Sequence, residues 1–339
     1  MRGPAAMRMS AHGSRNPLVS VLVPAYNAQR TIGLALLSMQ RQSLGELEIV
    51  VVDDGSTDET ATIVTAMAAR DPRILLVSQR NTGIVGALNT GLQHCRARFV
   101  ARMDADDYSL PWRLARQVAL LEASPEVGVC GCAILPLHEP WLRPGLPQRM
   151  PTHVAGIRTR LLFNPPVMHP TVVFRRALVD VAEFYPAGHP HAEDYALWSR
   201  LAHRTTLTND RRLGLLYRRT AQAVSNRHVR VQRETAARIR RTNLAHLLGE
   251  EFAAANAAPH EELIAREGTD TAGVTAYVER LAAAPGIDPA VVADHWFGYC
   301  LARARAGDRD AARRYAVPRG LANFVRRVAL EAICRTVHA

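Results

Sequence analysis

Within "ARMDADDYSLP" (101–111), three carboxylates, Asp104, Asp106 and Asp107, fall within four positions directly after an apolar run. Like charges so close together repel. Two arrangements are open: a solvated loop that caps the helix beginning near Pro111, or a seat for a hard divalent cation. Mg2+ or Mn2+ prefers oxygen ligands and leaves positions for phosphate and water. A second acidic pair, Glu193 and Asp194 in "AEDYALWSRL", stands where a helix would begin. There the helix dipole favours an ionised carboxylate, which suits two capping acids and equally a general base. "VPAYN" from Val23 and "DDGSTD" from Asp53 are short polar turns, and each follows a run of apolar, β-branched residues.

The elements that would position these groups follow from periodicity. "LVSVLVP", "LEIVVVD", "RILLVSQ" and "RFVARMD" read as buried strands, and each is followed by a segment with helical spacing, the first with Ile32, Leu36 and Met39 on one face. Gly55 permits a sharp turn, and Thr57 or Asp58 can cap the next helix. "VGVCGCAI" (127–134) reads as a fifth strand. Repeated strand–helix units imply an α/β fold with a mostly parallel sheet flanked by helices. In such sheets ligands bind at the carboxyl ends of the strands, where "PAYN", "DDGSTD" and "DADD" all lie. Beyond residue 135 the proline-rich stretch reads as a long loop, with shorter strands at "TVVFRR" and "LGLLYRR". From about 228 the chain is Ala- and Arg-rich and helical, with Ile239, Leu244, Leu247, Leu248 and Phe252 on one face. The domain reading is a 1–16 tail, a 17–227 domain and a 228–339 helical extension.

Composition narrows the chemistry. The formal net charge is +11, and all 42 basic Lys+Arg residues are arginine. Without lysine, a Walker P-loop, Schiff-base chemistry and lysine-assisted phosphatase chemistry are excluded. The arginines are dispersed and accompany no recognition motif, so nucleic acid is not an expected partner. Five cysteines (Cys95, Cys130, Cys132, Cys300, Cys334) match neither a zinc site nor a disulfide framework. No apolar run approaches the roughly 18 to 20 residues that span a bilayer, and the expected location is cytoplasmic.

In order and spacing, "VPAYN", "VVVDDGSTDET", "NTGIVGALNTG", "MDADD" and "AEDYALWSRL" resemble family 2 glycosyltransferases, inverting enzymes with a GT-A fold, over roughly residues 18 to 225. The resemblance implies a nucleotide-diphosphate sugar donor, with a UDP-sugar foremost, and a glycan or lipid-linked saccharide acceptor in cell-surface polysaccharide synthesis. It places Asp104 near the ribose and with Asp106 at the metal, Mg2+ or Mn2+. Asp107 is assigned capping or support of the metal site. Asp54 is the stronger candidate for base recognition, with Asp53 supporting; Pro24, Ala25 and Tyr26 border the base, and Asn81 and Gly83 form the N-x-G turn near the nucleotide. Asp194 is the implied base with Glu193 as neighbour, Arg200 braces a carboxylate, and Trp198 is a core or acceptor-platform aromatic. His169 either approaches the acceptor or diphosphate, or packs. Thr220 stands where relatives carry a histidine after Tyr217 and Arg218, leaving Arg218 and Arg219 to neutralise phosphate. That departure keeps open a catalytically inactive sugar-nucleotide or polysaccharide-binding protein. A nucleotidylyltransferase shares the sheet but needs a glycine-rich loop with a lysine. The last stretch, 321–337, sets Phe324, Val328 and Ile333 beside Arg326 and Arg327, a pattern for peripheral contact with the inner membrane face or for packing.

Overall fold

The structure, a computed structural model, describes residues 16–140, 142–179, 184–219, 229–267 and 270–308. Thr220, the stretch 321–337 and residues 1–15 of the tail lie outside the described residues. Packing divides the chain into two units. The described parts of 1–150, 167–189 and 203–227 form a sheet unit; those of 151–166, 190–202 and 228–339 form a helical unit.

In the sheet unit, β1 (Val19–Ala25) and β2 (Leu47–Asp53) are buried at all seven positions, as a parallel strand covered on both faces requires. β3 (Ile74–Ser78) and β4 (Phe99–Arg102) complete a parallel set in the order β3-β2-β1-β4. The helices α1 (Ile32–Gln40), α2 (Thr60–Ala68) and α3 (Gly83–His94) connect them. Pro24 lies beyond Leu22, the last β1 residue paired with β4, and its missing N–H falls on the β4 side. The ladder there loses no bond, and the chain turns out into the "PAYN" loop. Next come β5 (Tyr108–Ser109), α4 (Arg113–Ala123), β6 (Val127–His138), β7 (Arg143–Pro144), β8 (Val173–Arg175) and β9 (Thr206–Arg219).

The sheet continues β4-β8-β6-β9-β5, with β7 paired to β6. β8 runs antiparallel to both β4 and β6, so β6 and its parallel partner β9 point the same way as the first four strands. Among the described strands, only β5, β7 and β8 run opposed. The stretch after 135, expected as loop, instead extends the strand to His138 and adds β7. β9 likewise begins well before "LGLLYRR", because the β6–β9 ladder covers residues from Val127 to His138 and from Thr206 to Arg219. Apolar residues of β1, β2, β4, α1 and α4 build the core beneath, among them Val21, Leu36, Ile49, Phe99 and Leu114. Cys95, Cys130 and Cys132 are buried free thiols. Burial pushes the Cys132 thiol up to about 11, so these groups pack rather than react.

The helical unit comprises α5 (Val154–Arg160), α6 (Glu193–Leu201), α7 (Val229–Leu248), α8 (Glu250–Ala255), α9 (Ala257–Ala265), α10 (Thr271–Ala283) and α11 (Pro289–Arg305). Leu162, Phe163, Leu244, Tyr277, Leu281, Trp296 and Tyr299 share one core, with Leu247, Leu248 and Phe252 packed at its edge. Asn243 of α7 donates to Leu161 O at 2.8 Å and to Ser199 Oγ at 2.9 Å, which fixes α7 against α6. Among the described residues, no helix is long and apolar enough to cross a membrane.

Candidate active site

The loop leaving β4 brings Asp104, Asp106 and Asp107 together, with one oxygen from each within 4.8 Å of the others. Burial, then the neighbouring Asp104 charge, raises Asp106 to about 6. Asp107 is driven well above the carboxylate range by burial and by both neighbouring charges. Its Oδ1 accepts from Arg218 N–H at 2.9 Å, while its Oδ2 is buried with no hydrogen-bond partner among the described residues. Beneath the cluster, Arg102, only 4% exposed, pairs with Asp104 Oδ1 at 2.5 Å and orients that carboxylate. Hard oxygen donors under mutual repulsion, one of them without a partner, fit an oxygen-seeking divalent cation. A purely capping role does not account for the crowding: α4 begins at Arg113 with no side-chain cap.

A cavity of about 810 Å3 opens beside the cluster; Pro24, Tyr26, Asp58, Asp104, Asp106 and Arg218 are among the residues that line it. The β1 loop also lines it, cross-tied to the β2 loop: Asn27 Oδ1 accepts from Thr57 N–H at 2.9 Å and Asp58 Oδ2 from Gln29 N–H at 3.1 Å. Tyr26 is 54% exposed, a ring free to stack on a ligand. Ala25 is buried at the strand end. Asp53 and Asp54 are buried, and neither lines this cavity. Asp53 Oδ1 accepts from Ser56 N–H at 3.2 Å. Asp54 accepts from Thr82 N–H (2.9 Å) and Gln79 Nε2 (2.7 Å) on Oδ1 and from Gly83 N–H (2.9 Å) on Oδ2. It therefore organises the turn that holds Asn81, where Gly83 takes φ +79°, a region glycine enters without strain.

A relative in Haemophilus influenzae, an "Uncharacterized glycosyltransferase", is 31% identical over 244 residues, covering 68% of this chain and 75% of that protein. The chain belongs to glycosyl transferase family 2. The description of that family, "Glycosyl transferase family 2", matches residues 20–181. The "Amylovoran biosynthesis glycosyltransferase AmsE" of Erwinia amylovora is 35% identical over 187 residues, covering 54% of this chain and 69% of that protein. Among solved structures, S. aureus TarS 1–349 in complex with UDP-GlcNAc aligns with TM-score 0.57 at 18% identity, over 94% of this chain and 91% of that one. The mannosyltransferase PcManGT from Pyrobaculum calidifontis, in complex with GDP-Man and Mn2+, aligns with TM-score 0.50 at 20% identity, over 94% and 88%. At these identities the structures establish the fold, which is GT-A, and the sequence relatives establish a family 2 glycosyltransferase.

Glu193 and Asp194 occupy the first turn of α6, in the helical unit. Asp194 Oδ1 accepts from Tyr195 N–H at 2.7 Å, and Trp198 is fully buried on the same helix. His169, in the sheet unit, is buried and bonded to Tyr185 Oη at 3.0 Å. Burial, with the Arg102 charge, holds His169 well below the usual histidine range, so its ring is neutral. Sequence reasoning did not single out Gln29, Arg30 or Glu139 as cavity residues, nor Arg102 as the partner of Asp104. Arg102 carried one usable signal: a charged residue inside a strand buried at every position needs a partner. Glu139 carried none, because the pairing of β6 with β9 places it.

Proposed function

We propose that this glycosyltransferase is metal-dependent and inverting. It moves a sugar from a nucleotide-diphosphate donor, a UDP-sugar in the first instance, to a hydroxyl of a glycan or lipid-linked saccharide in cell-surface polysaccharide synthesis. The gathering of Asp104, Asp106 and Asp107 beside the cavity carries the reading. Three likenesses support it: amylovoran biosynthesis in one relative, UDP-GlcNAc bound to TarS, and GDP-Man with Mn2+ bound to PcManGT.

Asp104 and Asp106 would hold Mg2+ or Mn2+, which when bound neutralises charge on the departing diphosphate. Asp107, tied to Arg218, keeps the loop in place. Pro24, Ala25 and Tyr26 border the nucleoside. Asp53 and Asp54 serve it by shaping the strand-end turns that carry Asn81 and Gly83. Asp194, kept anionic by the α6 dipole, accepts the proton of the attacking hydroxyl, and Glu193 supports it. A single base and direct displacement invert the anomeric centre. The protein works at the cytoplasmic side, with 321–337 as the candidate for peripheral membrane contact; that stretch lies outside the described residues.

Purified protein is given UDP- and GDP-sugars with Mn2+, with Mg2+, or with chelator. Metal-dependent release of nucleoside diphosphate is expected, lost in Asp194→Asn. An inverted anomer, read by NMR of the product, is expected; a retained one sinks the displacement step. Tight donor binding with no turnover under any condition favours the inactive binder instead.

A further inference from the structure

Arg218, near the end of β9, is held from two directions. Its N–H donates to Asp107 Oδ1 and its Nε to Asp106 O, both at 2.9 Å, which ties it to the acidic loop. Its Nη1 donates to Glu139 Oε1, also at 2.9 Å. Both side chains line the cavity, and the Glu139 carboxylate is the more exposed, 38% against 19%. Among the described residues, the other charged groups lining the same space are Asp58, Asp104, Asp106 and Arg30.

We propose that Glu139 is a built-in competitor for the donor's diphosphate: its carboxylate occupies the edge of the Arg218 guanidinium that a phosphate oxygen takes on binding, and so sets donor affinity. The inference rests on the donor reading above. A guanidinium is a planar fork of donors that suits carboxylate and phosphate alike. Arg218 does not need Glu139 to stay in place, since two bonds already anchor it to the acidic loop. Nor does the sheet need the pair, because Leu137 and Arg218, and His138 and Arg219, are ladder partners and Glu139 N–H donates to Arg219 O at 3.0 Å. The ion pair therefore spends a half-exposed carboxylate where a diphosphate would meet the chain. Such an exposed pair is worth little, so a doubly charged phosphate displaces it at small cost.

Isothermal titration with MnCl2 present separates the possibilities. Wild type, Glu139→Gln, Arg218→Ala and the double variant are titrated with UDP, with GDP and with uridine. Glu139→Gln is expected to bind the preferred nucleoside diphosphate about threefold tighter, with uridine binding unchanged, because uridine offers no phosphate. Arg218→Ala is expected to bind it more weakly, and Glu139→Gln is expected to bring no gain in that background. Glu139→Ala serves as a second variant and is expected to shift affinity in the same direction. Unchanged or weaker nucleotide binding in Glu139→Gln, with wild-type circular dichroism, overturns the proposal and makes Glu139 a brace. A gain that persists without Arg218 also overturns it, because the effect is then a general field. Wild type that binds neither UDP nor GDP overturns the donor reading, and this inference with it.

Discussion

Two clusters of buried and half-buried titratable groups, one in each unit, are built on opposite principles. At the end of β4, Asp104, Asp106 and Asp107 crowd like charge against a cavity, and one Asp107 oxygen is buried without a partner among the described residues. In the helical unit His260 is 2% exposed, yet both its nitrogens are bonded, Nδ1 with Tyr277 Oη at 2.5 Å and Nε2 with Leu162 O at 2.8 Å, and Phe163 stacks nearby. Burial lowers His260 to about 4, so it packs as a neutral ring, whereas burial raises Asp106 to about 6 and leaves it costly to ionise. A polar group whose hydrogen bonds close within the protein is packing. One whose charge is left facing a cavity is waiting for a ligand.

The sharpest way to break this contrast is Asp106→Ala. Turnover is expected to fall about 1000-fold, the scale of removing a group that stabilises charge in the reaction. Melting temperature at pH 7.5 is expected to hold or rise, because an ionised carboxylate repelled by two others is lost. A lower melting temperature together with near-normal activity would make the acidic cluster structural and erase the distinction.

The helical cluster is tested by acid. Unfolded histidine takes up its proton near 6.5, while folded His260 resists until about 4. Between those values the unfolded chain binds the extra proton, so stability is intact above pH 6.5 and drains away as pH falls toward 4. His260 alone contributes a loss of about 3 kcal/mol across that window. His295, held at about 3 by burial first and then by Arg160, adds in the same direction. Urea unfolding at pH 7 and pH 4.5 measures this. His260→Gln is expected to be less stable at pH 7 but flatter with pH, and a slope unchanged in the variant would refute the assignment.

Metal protection should run with the same pH sign by the opposite route. Because Asp106 holds its proton up to about 6, protons compete with a cation there. The stabilisation that Mn2+ adds in thermal melts is expected to be several degrees at pH 7.5 and close to nil at pH 5. Equal shifts at both values would place cation binding elsewhere.

Much of the first half was legible because buried parallel strands are continuous apolar runs: "LEIVVVD" is β2 residue for residue. The acidic cluster was legible as well, since its three carboxylates are local in the chain. What depends on distant pairing was not. Nothing local to "TVVFRR" says that β8 inserts between β4 and β6. "LPLH" reads as loop, although its pairing with β9 makes it strand. The partners of Asp54 were not legible either, because Gln79, Thr82 and Gly83, which donate to its oxygens, lie some 25 to 29 residues on. Side chains near a strand end advertise polarity; which partner they find is decided by the neighbouring loop.

The smallest effects come from a matched pair of glycines, and they separate the two units most cleanly. Gly83 and Gly249 both have positive φ, +79° and +93°, and an added Cβ at either would meet nothing within 4 Å. Alanine at each position therefore imposes backbone strain without a clash, a cost of about 1 kcal/mol. Gly83→Ala also disturbs the N–H that Asp54 holds and hence the turn carrying Asn81, so its affinity for UDP or GDP is expected to drop a few-fold. Gly249→Ala, at the junction of α7 and α8, is expected to lower melting temperature by a similar few degrees and leave nucleotide affinity untouched. If the two variants weaken nucleotide binding equally, strain anywhere in the chain reaches the cavity. The contrast between the turn at Gly83 and the packed helical core at Gly249 would then fail.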